Sequence, residues 1–169
     1  VVEEARALAE SRELEGWVFT LDFPSYVPFM TYADNRELRK EMALAYGARS
    51  FSDNEYNNED IVLEIVNLRH KKANLLGYKS HAEYVLERRM ALSPDAVTDF
   101  LGELLEKAKP AAIQQKENLE QFAKDLDGTY PLEKWDTAYY SEKLKQKLFA
   151  IDDELLKPYF KLDNVLQGV

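Results

Sequence analysis

Cysteine is absent from this 169-residue sequence, so neither a disulfide framework nor a thiolate metal site can form, as suits a reducing, cytoplasmic compartment. Histidine is nearly absent too. His70 is followed by Lys71 and His81 by Ala82, so neither opens an H-E-x-x-H zinc motif. There is no glycine-rich phosphate loop and no G-x-S-x-G nucleophile turn, and the residues taken alone therefore supply no catalytic set, no metal ligands and no cofactor site. No apolar run approaches the roughly 18 residues of a membrane span, and nothing resembles a signal peptide. Basic residues are outnumbered 22 to 31 by acidic ones, for a net charge of −9. That balance argues against nucleic acid or an anionic membrane as partner, because both require clustered Lys and Arg to displace counterions.

What is present describes a folded, all-α chain. Hydrophobic residues make up 46% and aromatics 12%, ordinary values for a globular protein with a sizeable core. The opening "VVEEARALAESRELEG" reads as an amphipathic helix already under way, with Val2, Ala5, Leu8 and Ala9 on one face, Leu14 continuing it and Gly16 as its stop. The aromatic, proline-bearing "GWVFTLDFPSYVPFMTYA" reads as extended chain and turns. Asp34 is the expected cap of a helix over "NRELRKEMALAYGARS", with Glu37 completing a capping box. A helix "IVLEIVNLRHKKANLLG" should stop at Gly77, and a shorter one should start from Ser80. Ser93 and Pro94 open a long segment with an apolar stripe through Val97, Phe100, Leu101, Leu104, Leu105 and Ala108, which Pro110 should kink or split. Asp136 is the expected cap of "WDTAYYSEKLKQKLFA", followed by a short "DDELLKPYF" helix and a last one capped by Asp163. Both ends read as helices interrupted, which marks residues 1–169 as a single helical fragment of a larger domain, with Val165 and Leu166 left exposed or buried by self-association.

Four residues are candidate peptide contacts. Arg69 falls inside the apolar arc of its helix at about 100° per residue, where a guanidinium needs a carboxylate partner or could hold a peptide carboxylate. Arg36 and Arg39, with Lys40 and Arg49, make the helix after Asp34 locally basic; the plain alternative is a solvated or intramolecularly paired face. Trp17 leads a set of aromatics, with Phe19, Phe23, Tyr26, Phe29 and Tyr32, that could line a cleft or pack a core. His70 should face solvent, and acidic pairs such as Asp152 with Asp153 sit at helix starts, where they favour the dipole.

Several segments taken together resemble the thimet oligopeptidase family of zinc metallopeptidases: N-R-E-L-R at 35–39, L-R-x-x-K-A-x-L-L-G-Y at 68–78, W-D-x-x-Y-Y at 135–140 and K-P-Y-F at 157–160. The ending "LKPYFKLDNVLQGV" looks more like the bacterial peptidyl-dipeptidase branch than the oligopeptidase branch. The resemblance implies a mostly helical fold around a channel for short peptides, and hydrolysis by a zinc-activated water held by H-E-x-x-H and a downstream Glu. It also implies that this motif lies C-terminal to the present residues, so the zinc belongs to a longer parent and none is expected here. In that reading the chain supplies channel framework, packs against the remainder of the parent and is inactive alone. The competing reading is a noncatalytic α-helical module that binds peptides or proteins.

Overall fold

The computed structural model describes residues 2–150 and 159–168, and among these every regular element is a helix. They are α1 (Val2–Ser11), α2 (Phe23–Tyr32), α3 (Arg36–Gly47), α4 (Glu59–Leu75), α5 (His81–Leu86), α6 (Pro94–Asp127), α7 (Thr137–Phe149) and α8 (Leu162–Gly168). The all-α expectation holds. The chain divides into two compact units, one made of Val1–Tyr46 with Glu117–Val169 and the other of Gly47–Lys116.

In the first unit α1 buries Ala5 and Ala9 but ends at Ser11, well before Gly16. Glu13 takes the left-handed conformation, and the amide of Leu14 closes back on the Ala9 carbonyl, leaving the Leu14 side chain exposed. The expected stop at Gly16 therefore comes too late. The segment read as extended chain contains α2, a correction with a clear physical origin. Pro24 occupies its first turn, where an N–H would lack a partner in any case, and the Asp22 carbonyl accepts from the Ser25 and Tyr26 amides. Pro28 inside the helix is tolerated while packing holds the rest: Met30 is buried, Phe19 meets Phe29 edge-on at 4.7 Å, and Tyr26 stacks on Tyr46 at 4.0 Å. Tertiary contacts override a local β and proline signal. α2 packs against α7, and a core of Phe122, Ala123, Tyr139 and Tyr140, flanked by Leu119, Leu132 and Leu144, joins the end of α6 to α7.

In the second unit the sequence signals are met at the helix ends. Ser80 Oγ accepts from the Glu83 amide while Glu83 Oε2 accepts from the Lys79 amide, and Ser93 Oγ accepts from the Ala96 amide. Gly77 at φ +89° ends α4 with a paired motif, its own amide donating to Asn74 and that of Tyr78 to Ala73. α4 packs against α5 and buries Ala73. The apolar arc of α4, formed by Ile61, Ile65, Leu68 and Leu76, is exposed, and Arg69 within it is exposed too. α6 is one helix through Pro110, which neither ends nor splits it; only Phe122 and Ala123 near its C-terminus are buried, and Phe100, Leu101, Leu104 and Leu105 are open. The expected "DDELLKPYF" helix and the Asp152–Asp153 pair lie outside the described residues, apart from Tyr159 and Phe160. α8 begins at Leu162, one residue before the expected cap position 163, and Val165 and Leu166 are exposed.

Candidate functional site

The densest polar constellation among the described residues forms where the N-terminus of α3 meets the N-terminus of α7. The structure moves the cap of α3 by one residue. Asn35 Oδ1 accepts from the Leu38 amide at 3.1 Å, which frees Asp34 for other work. Starting the helix at Arg36 points Arg36 and Arg39, three apart and so on one face, toward the start of α7.

Asp136 occupies the N-cap position of α7, yet its carboxylate makes no capping bond. It is wholly buried (0% exposed) and receives two cations. Arg36 donates through Nε to Oδ1 at 3.0 Å and through Nη2 to Oδ2 at 2.7 Å, a bidentate fork. Arg39, 1% exposed, donates through Nη2 to Oδ1 at 3.1 Å. The Glu133 amide adds a third donor to Oδ2 at 3.1 Å. Burial alone would push the Asp136 carboxyl up, but hydrogen bonds from Arg36, the Glu133 amide and Arg39 outweigh it and hold the group below the usual carboxylate range. The same contact raises Arg36.

Arg39 is the hub. Besides Asp136 it donates to the carbonyls of Trp135 at 3.1 Å, Ala33 at 2.7 Å and Asp34 at 3.1 Å. The Ala33 carbonyl sits at the C-cap of α2, where a helix leaves acceptors unpaired and favours a cation. The guanidinium also lies 4.0 Å from the centre of the Tyr139 ring. The Tyr139 hydroxyl donates to Asp34 Oδ1 at 2.7 Å, and Lys143 approaches the same oxygen at 3.5 Å; both lower the Asp34 carboxyl. Tyr140 points the other way, its hydroxyl 2.8 Å from Asp127 Oδ2 and 2.7 Å from Thr129 Oγ1. Burial and the nearby carboxylates raise both phenols overall.

Of the four sequence candidates, then, Arg36 and Arg39 come together, while Trp17 and Arg69 stand elsewhere and exposed. Arg39 is closed to any ligand, because four of its hydrogen bonds end inside the chain; Arg36 keeps one half-exposed edge beside the Trp135 ring, 6.0 Å from its centre. The paired-face alternative describes the basic helix better than a free cationic surface, with Lys40 near both Glu37 and Trp135. Of the six aromatics, Phe19, Tyr26 and Phe29 pack, while Trp17, Phe23 and Tyr32 are exposed. His70 is exposed as expected, hydrogen-bonded to Asn74. Sequence reasoning assigned Asp136 to a cap and passed over Tyr139 and Tyr140. A signal was available, since positions 136, 139 and 140 share one helical face.

Chemically this arrangement can hold two helix starts and a helix end in register. Among the described residues no group of three or more His, Cys, Asp or Glu stands close enough to hold a metal ion. The described residues therefore offer no ligand set for zinc, and no chemical step is derived through a metal on them. Nor is any helix among them long and apolar enough to cross a membrane.

Comparison with known proteins bears on the motifs that build this latch. The profile of peptidase family M3 matches residues 29–169. Oligopeptidase A of Escherichia coli is 44% identical over 98% of this chain, and the probable cytosolic oligopeptidase A of Arabidopsis thaliana is 39% identical over 90% of it. A dipeptidyl carboxypeptidase of Salmonella typhimurium is 26% identical over 96%. Along the chain as a whole, identity is higher to oligopeptidase A than to the dipeptidyl carboxypeptidase, 44% against 26%. The chain spans about a quarter of the length of these curated relatives (25%, 22% and 24%).

Proposed function

The chain belongs to peptidase family M3, the thimet oligopeptidase family, and from that premise we propose that it is framework from a zinc-dependent oligopeptidase that hydrolyses short peptides. The observation that carries the reading is the 44% identity to an oligopeptidase A along nearly the whole chain. The latch supports the framework role: N-R-E-L-R and W-D-x-x-Y-Y, two of the motifs that carry the family likeness, interlock through Arg36, Arg39, Asp136 and Tyr139. Residues about a hundred apart are tied to one another. The zinc and its ligands belong to other residues of the whole protein, this stretch cleaves nothing by itself, and its place is the cytoplasm, as the name of the Arabidopsis relative suggests.

The test is cleavage of a quenched short peptide by the full-length protein, with and without a zinc chelator, beside residues 1–169 alone. Chelator-sensitive cleavage by the former and none by the latter is expected. A folded full-length protein that cleaves no short peptide would overturn the enzymatic reading in favour of a noncatalytic peptide-binding module.

A further inference from the structure

The second unit carries a cleft of about 530 Å³ lined by Leu76, Tyr78, Tyr84, Val85, Glu87, Arg88 and Arg89, within the range of small-molecule sites. Its walls are aromatic. Tyr78 and Tyr84 meet edge-on at 5.3 Å, and Lys72 lies over the Tyr84 ring at 5.3 Å. Its charge is cationic in a chain whose net charge is −9. Among the described residues neither Arg88 nor Arg89 forms an ion pair, and the one carboxylate in the lining, Glu87, instead accepts from the Tyr78 hydroxyl. Arg88 and Arg89 thus both offer a guanidinium that no carboxylate pairs, in contrast to Arg36 and Arg39, whose anion is supplied from within.

The geometry points to a binding site for a small aromatic carboxylate, its ring against Tyr78 and Tyr84 and its carboxylate on Arg88 and Arg89. Leu76 and Val85 complete the apolar wall. Glu87 sets the strength of the site, since its charge opposes the ligand's while Tyr78 holds it aside. The site stands apart from the latch and does not rest on the peptidase reading.

The experiment is calorimetric titration of the full-length protein with N-acetylphenylalanine, using neutral N-acetylphenylalaninamide and acetate as companions. N-acetylphenylalanine should bind with a Kd on the order of 1 mM, and each companion about tenfold more weakly. Replacing both arginines, Arg88→Gln with Arg89→Gln, should weaken N-acetylphenylalanine about tenfold. Glu87→Gln, which keeps an acceptor for Tyr78 and removes the charge, should tighten it a few-fold. Circular dichroism establishes that each variant is folded, and the tightening by Glu87→Gln cannot arise from unfolding. Binding that ignores both variants, acetate binding as tightly as N-acetylphenylalanine, or no binding at all overturns the assignment.

Discussion

The α3–α7 latch and the exposed faces of α4 and α6 reverse the usual placement of residues. In the latch a carboxylate and a guanidinium are wholly inside, and on α4 and α6 Leu68, Phe100, Leu104 and Leu105 are outside. Charge becomes tolerable in the interior when every lone pair and proton has a partner, and Asp136 and Arg39 come close to that condition. Apolar stripes, conversely, say only that a face can be buried, not by what. A helical wheel treats the two cases alike. The difference between them lies in partners that are distant in sequence.

The comparison can be broken at the latch first. Asp136→Ala should lower unfolding stability by about 3–5 kcal/mol, measured by urea denaturation, because two guanidiniums lose their anion and one of them is buried. Arg39→Met should follow at about 2–4 kcal/mol, while Arg36→Met, at the half-exposed pair, should stay near 1 kcal/mol. Acid provides a check on mechanism. The Asp136 carboxyl is held below its unfolded value of about 3.9, so its contribution is complete above that pH and is lost as pH falls through the lowered folded value. The urea midpoint of the parent chain should therefore drop below about pH 4, and Asp136→Asn should flatten that drop. Smaller still, Ser80→Ala should cost about 1 kcal/mol through the lost cap of α5. Leu104→Gln, on the open stripe of α6, should shift stability of residues 1–169 by less than about 0.5 kcal/mol.

Legibility in the sequence followed the range of the interactions. Caps at Ser80 and Ser93 and the stop at Gly77 are settled within four residues, and reading them from spacing succeeded. α2 was missed because Pro24, Pro28 and the aromatics were weighed locally, whereas Met30, Phe29 and Tyr26 are fixed by packing. Pro110 does not split α6, because removing one N–H from a 34-residue helix leaves bonds on either side to carry it through. Arg36 and Arg39 were singled out correctly as unusual. Their anion, about a hundred residues away, cannot be paired with them from periodicity, which leaves an intramolecularly paired face and a ligand contact both open at the level of sequence.

The most direct test of the central claim, that the two motifs form a structural latch, is a double-mutant cycle on unfolding stability with Arg39→Met, Asp136→Leu and the pair. Substituting both removes the buried charges together, so the double variant should lose far less than the sum of the singles, with a coupling of at least about 2 kcal/mol. Additivity within about 0.5 kcal/mol would mean that Arg39 and Asp136 act independently, and the latch would not exist as described.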